Sequence, residues 1–215
     1  MSMKIKWLGH ASFLLTSDKG TKIITDPYTV GSGLSYGEIK ESADIVTVSH
    51  EHGDHNNAST VGGKPTIVKG AVSQDIKGIK INGFPVFHDE SKGKERGTDT
   101  IYTFAIDKLK VCHLGDLGHL LSEQQAKDIG PVDVLFIPVG GFYTIDAANA
   151  TKVCDQLKPK VIIPMHFKTP KCGYPIAGVD EFLKGKKSVK KETGSEIEIK
   201  ALPAATEVRV LQPAL

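Results

Sequence analysis

The stretch Ile45-Val46-Thr47-Val48-Ser49-His50-Glu51-His52-Gly53-Asp54-His55 decides how this chain is read. Its first half is continuously β-branched, the pattern of a short strand covered on both faces. Its second half sets three imidazoles and a carboxylate within six residues, directly beyond that strand. Neutral imidazole nitrogen and carboxylate oxygen are ligands for Zn²⁺ and similar transition metals. Four such groups are too many for one ion that keeps an open position, so the spacing points to two ions.

Working outward, other strand-like runs deliver residues of the same kind. Lys22–Thr25 ends on Asp26, and Phe84–Phe87 ends on His88. Lys110–Gly115 carries His113 and ends on Asp116, and Val161–Met165 ends on His166. Open α/β sheets place their sites at strand carboxyl ends, where a rigid element fixes the side chain. If these ends converge, the ligand set suffices for a pair of ions.

The remaining pattern gives the fold class. Short β-rich runs over 4–8, 12–16, 22–25, 45–49, 66–68, 84–87, 101–106 and 109–113 dominate the first half, with turns at Asp18-Lys19-Gly20 and Asp107-Lys108. Ser122-Glu123-Gln124-Gln125 is a capping box that opens a helix running to Gly130-Pro131. A second helix opens at Thr144 or Asp146, with Ala147, Ala150, Val153, Cys154 and Leu157 on one stripe, and ends at Pro159. Strands at 133–137 and 160–163 flank it, which implies a parallel crossover. A third helix is expected over 177–185, and strands over 196–200 and 207–211. The result is a layered α/β sandwich, read as one domain over 1–215 because no repeat or linker divides it.

Composition narrows the function classes. The 215 residues carry a formal charge of +2, which gives no support to a nucleic-acid partner. No apolar run is long enough to span a bilayer, and Met1-Ser2-Met3-Lys4 leads straight into a strand without a signal segment. Cys112, Cys154 and Cys172 are odd in number and widely spaced, which fits a reducing cytoplasm. Cys112 and Cys154 read as small core residues. The expected partner is a small-molecule substrate, and a homo-oligomer stays open.

With these residues in hand, the chain resembles the metallo-β-lactamase fold superfamily. Within it, Trp7-Leu8-Gly9-His10-Ala11-Ser12 and His113-Leu114-Gly115-Asp116 resemble the UPF0173/UlaG-like branch of metal-dependent hydrolases. The resemblance implies a four-layer αββα sandwich with its site at one edge. It implies that His50, His52 and His88 bind a first metal, that Asp54, His55 and His166 bind a second, and that Asp116 bridges them. His113 competes with His88 for the first site. Asp26 is the candidate to orient a ligating imidazole from behind, although a turn Asp before Pro27 explains it equally. His10 and His119 are candidate proton donors or substrate contacts, and structural roles explain them as well. His52 stands where flavodiiron oxidoreductases of this fold typically carry Glu, and Asp116 where the best-known β-lactamases carry Cys.

Two divalent ions, Zn²⁺ first with Mn or Fe as alternatives, lower the pKa of a shared water towards neutrality and polarise a substrate oxygen. Asp54 and Asp116 are then the catalytic carboxylates, and no G-x-S-x-G nucleophile is present. The expected activity is hydrolysis of a small ester-type substrate: a phosphodiester, a lactone or a phosphorylated metabolite. A nuclease or cyclic-nucleotide phosphodiesterase, and a non-catalytic metal-binding protein, are the competing readings. Lys92, Lys94, Arg96, Lys168 and Lys171 are basic residues within reach of an anionic substrate. The 27–43 loop, with Tyr28, Leu34 and Tyr36, is a candidate pocket roof. Gly140-Gly141 suggests close backbone approach beside the site.

Overall fold

The computed structural model describes residues 2–31 and 33–215. Met1, in the amino-terminal stretch, and Ser32, in the expected roof segment, lie outside the described residues. Among the described residues, fourteen strands form two mixed sheets. The first comprises β1 (Met3–Gly9), β2 (Ser12–Thr16), β3 (Lys22–Thr25), β4 (Ile45–Val48), β5 (Thr66–Lys69) and β13 (Glu196–Ile199), in the order β13-β1-β2-β3-β4-β5. The second comprises β6 (Ser73–Ile76), β7 (Ile79–Phe87), β8 (Thr98–Ile106), β9 (Leu109–His113), β10 (Val134–Pro138), β11 (Val161–Met165), β12 (Val189–Lys191) and β14 (Glu207–Val210). Its order is β12-β14-β11-β10-β9-β8-β7-β6. Strands β3, β4 and β5 run parallel to one another, as do β9, β10, β11, β14 and β12.

The pleat of each strand sorts its side chains between two cores. Ile5, Trp7, Phe13, Leu15, Ile23 and Ile45 join the main core, which lies between the sheets. Phe13 meets Phe136 of β10 across that layer at a ring separation of 4.3 Å. Leu8, Ile24, Val46 and Val48 face the other way, into a second core with Tyr28, Leu34, Tyr36 and Ile39. The 27–43 loop is therefore a structural layer on the outer face of the first sheet, not a roof over the pocket. On the outer side of the second sheet, helix α2 (Ala147–Leu157) buries Ala150, Val153, Cys154 and Leu157, which is the expected stripe.

The helix signals work as chemistry predicts. Ser122 and Gln125 make the reciprocal capping box of α1 (Glu123–Ile129), and Asp146 caps α2 by accepting from Asn149 N at 2.8 Å. The third helix, α3 (Asp180–Leu183), is much shorter than the expected 177–185. It has no side-chain cap, and the left-handed Gly185 follows it. Strand β7 starts five residues before the expected 84, because pairing along β8 carries it through Lys80, Asn82 and Gly83. Strands β6 and β12 were not expected: both are short and polar and lie at the two edges of the second sheet.

Candidate metal centre

Six strands end at one place. His10 follows β1, Asp26 follows β3, the 50–55 segment follows β4, His88 follows β7, Asp116 follows β9 and His166 follows β11. His10, Asp26 and His166 have left-handed backbone, with φ of 52°, 40° and 49°. Residues other than glycine reach this region only at a cost, and such strain concentrates at functional sites. Here it turns each side chain inward as its strand terminates. Gly140, as expected, permits a close approach: a Cβ there would lie 2.3 Å from the His166 carbonyl oxygen.

Asp116 is the centre of the cluster. Its Oδ2 lies 3.2 Å from His55 Nε2, 3.3 Å from His88 Nε2 and 3.2 Å from His166 Nε2. His50 packs against His55, His88 and His52, at ring separations of 4.3, 4.8 and 4.6 Å. Three donor groups result: His50, His52 and His88; His10, Asp54, His55 and His166; and His50, His55 and Asp116. His10, held in the sequence reading only as an outer contact, belongs to the second group. Its Nε2 lies 3.2 Å from Asp54 Oδ2.

A shell behind the cluster fixes it. Asp26 is fully buried and accepts from Ser49 N at 2.8 Å and Ser49 Oγ at 2.6 Å, and it pairs with His55 Nδ1 at 2.9 Å. That bond leaves His55 Nε2 facing the cluster. For His50 the corresponding part is played by Ser49, whose Oγ pairs with His50 Nδ1 at 2.9 Å. Asp99, which the sequence reading did not single out, adds a carboxylate with Oδ1 3.3 Å from the same nitrogen. It is buried on β8, and no motif marks it.

His88 and His113 separate cleanly. His113 Nε2 is 2.8 Å from the Ala11 carbonyl, and its Nδ1 accepts from Gly115 N at 3.1 Å. Both ring nitrogens are thus occupied by backbone, and the ring packs near Phe13 and Phe136. His88 reaches the cluster and His113 does not. His119 is also outside it: its Nε2 accepts from Phe87 N at 3.2 Å and its ring braces the end of β7.

The electrostatics are those of crowded charge away from water. Burial would raise Asp116, but His166 and His55 hold it well below the usual carboxylate range. Burial would lower His55, but Asp116 and Asp54 raise it well above the ordinary histidine value. Burial and then the neighbouring His166 depress His10 to about 4. His50 Nε2, His55 Nε2 and Asp116 Oδ1 are buried without a hydrogen-bond partner among the described residues. Buried polar atoms are ordinarily paired, so these atoms, with the carboxylates around them, fit a divalent cation.

The cluster opens into a cavity of about 270 Å³ walled by Arg96, Tyr143 and Tyr174. The two tyrosines were not anticipated. Tyr174 is set by the 27–43 segment, since Gly33 leaves room for its ring and Ser35 N bonds the Lys171 carbonyl at 2.8 Å.

Residues 4–166 match the family model described as "Beta-lactamase superfamily domain". The chain belongs to the metallo-β-lactamase superfamily, among its UPF0173 metal-dependent hydrolases. A UPF0173 metal-dependent hydrolase of Pyrococcus horikoshii is 30% identical over 195 residues, covering 78% of this chain and 85% of the relative. That of Carboxydothermus hydrogenoformans is 30% identical over 205 residues, covering 83% and 88%. A proposed Zn-dependent hydrolase of the superfamily from Thermotoga maritima has a solved structure with 38% identity and a TM-score of 0.84, covering 97% of this chain and 98% of that one. The two-sheet α/β architecture is the superfamily's, and the chain is a metal-dependent hydrolase. Among the described residues, no helix of this hydrolase is long and apolar enough to cross a membrane.

Proposed function

We propose that this hydrolase carries two divalent ions and cleaves a small ester-type bond: a phosphodiester, a lactone or an ester of a phosphorylated metabolite. The observation that carries the reading is the convergence of three imidazole nitrogens on one oxygen of Asp116. His50, His52 and His88 would hold one ion, Asp54, His55 and His166 the other, with Asp116 shared. Imidazole and carboxylate suit Zn²⁺, Mn and Fe alike, with Zn²⁺ the first candidate. When bound, the ions supply Lewis acidity and lower the pKa of water.

The chain's own residues do the rest. Asp26 and Ser49 Oγ hold His55 and His50 through their Nδ1 atoms, so that both rings present Nε2 to the cluster. His10 steers Asp54 through Oδ2 and so orients the carboxylate that would help to hold the second ion. Tyr143 and Tyr174 wall the cavity and limit bulk water around the scissile bond. The proposal also covers a single domain over 1–215, a small-molecule substrate and a cytoplasmic location, the last consistent with three unpaired cysteines.

The test is metal analysis of protein purified without chelator, followed by turnover of generic phosphodiester, lactone and thioester substrates. Two ions per chain and activity lost in Asp116→Ala are expected. Wild-type rates in a folded Asp116→Ala protein would overturn the assignment.

A further inference from the structure

Arg96 occupies a singular position. Its side chain is 30% exposed, and among the described residues its one ionic contact is the adjacent Glu95 at 3.4 Å. It lines the same cavity as His52, His88 and Asp116, with its guanidinium carbon 5.7 Å from the centre of the Tyr143 ring. It also lines an adjoining cleft of about 490 Å³, together with His50, His52 and Lys69.

The loop that presents Arg96 is built for rigidity. Asp89 accepts backbone N–H bonds from Ser91 at 2.8 Å, Gly93 at 2.8 Å, Glu95 at 3.1 Å and Arg96 at 2.8 Å. Lys92, Gly93 and Gly97 take left-handed backbone to make that wrap. None of this requires a guanidinium, since Arg96 contributes to the loop only through its main chain. The side chain is free to serve the cavity, and stacking on Tyr143 limits the entropy lost when it binds.

We propose that Arg96 is the specificity-determining residue of this enzyme, binding an anionic oxygen group, carboxylate or phosphate, that the substrate carries beside its scissile bond. The inference rests on the hydrolase reading of the cluster. A guanidinium offers a planar fork of donors matched to two oxygens of such a group. The direction of approach follows from charge. The third cavity that Arg96 touches is lined by Glu90, Glu95 and Asp146, which repel an anion. On the side towards the cluster, Lys69 is paired with Glu51 at 2.7 Å, so the attraction for an anion there would come from Arg96 itself and from the ions that the hydrolase reading supplies. The Tyr143 and Tyr174 rings provide apolar walls for the part of the substrate between anion and ester.

The test uses the metal-loaded enzyme and its Arg96→Gln and Arg96→Lys variants, matched for metal content. Turnover of mono-p-nitrophenyl succinate is compared with that of p-nitrophenyl acetate, which lacks the distal carboxylate. Binding of phenyl phosphate is measured by calorimetry. Arg96→Gln should lower the succinate-over-acetate preference about tenfold, chiefly through KM, or weaken phenyl phosphate about tenfold, the value of one charge-assisted hydrogen bond. Arg96→Lys should retain part of whichever effect appears. A loss in the succinate arm assigns a carboxylate, and a loss in the phosphate arm assigns a phosphate. Less than a twofold change in both arms overturns the proposal. If wild type cleaves neither ester but phenyl phosphate binding still depends on Arg96, the ester-hydrolysis reading fails and the anion site stands. Turnover that is indifferent to Arg96, with unchanged phosphate binding, leaves the hydrolase reading and removes the anion site.

Discussion

Asp26 Oδ2 and His55 Nδ1 lie 2.9 Å apart with both side chains fully buried, so the orientation of a central imidazole is set from a different strand end. The carboxylate is itself immobilised by Ser49, through both its backbone N–H and its hydroxyl. His55 thus has one ring nitrogen committed and the other free for a metal.

Replacing Asp26 by Asn should disturb this arrangement at nearly constant volume. The amide retains one acceptor for Ser49 N but sets an NH₂ against the Ser49 hydroxyl and the His55 N–H. Metal affinity should fall by roughly tenfold to a hundredfold, the usual loss for a partner behind a ligand. Chelator competition on the wild type and Asp26→Asn checks it, and equal affinities would refute the role.

His88 and His113 make a paired test. His88→Ala should lose about one bound ion per chain while the fold persists. His113→Ala should keep its ions but unfold more easily by about 2–4 kcal/mol, because it leaves the Ala11 carbonyl and Gly115 N–H unpaired in the core and opens a cavity. Metal analysis and urea denaturation separate the two. The opposite pattern would return His113 to the cluster.

This pair also shows what the sequence withholds. Both histidines come at strand ends, and strand position alone does not reveal which way a ring turns. His113 is the last residue of β9 and its ring faces the layer between sheets, whereas His88 lies one residue past β7 and faces the cluster. The 50–55 hexapeptide was legible because all its donors lie in one local run, and β2 and β3 because their patterns and turns are local too. Asp99, Tyr143 and Tyr174 were not. They are single residues on β8 and two loops, and only the meeting of the two sheets brings them to the site. Strands β6 and β12 escaped for a related reason: Ser73–Ile76 and Val189–Lys191 are polar edge segments extended by their partners rather than by their own propensity.

Gly115 is a further point of close fit. It has φ of 53°, and a Cβ there would stand 2.5 Å from Asp99 Oδ1 and 2.8 Å from Ser49 Cβ. Gly115→Ala should therefore push on the residues behind both His50 and His55. A destabilisation of about 2–4 kcal/mol is expected, combining left-handed strain with overpacking, accompanied by weaker metal binding. Denaturation and metal titration of the variant should both shift. A change in stability alone would show that Asp99 and Ser49 adjust without moving the imidazoles.

Glu207 provides a pH-dependent test far from the cluster. It is nearly buried on β14, with Lys190 Nζ at 2.8 Å and an Arg209 guanidinium nitrogen at 3.0 Å, while Arg209 also pairs with Glu192. Burial would raise the Glu207 carboxyl, but the bonds to Lys190 and Arg209 lower it below its ordinary value. A depressed folded-state pKa adds stability that is fully present above the unfolded value of about 4.3 and is lost as pH falls through the folded value. Glu207→Gln should thus melt below wild type at pH 6–7, with the gap closing as both are taken below about pH 4. Because Arg209 would keep only Glu192, the loss should localise to the β12–β14 edge and appear as faster amide exchange over Val189–Lys191. A melting difference that stays constant from pH 7 to pH 3 would mean that the pair acts through packing rather than charge.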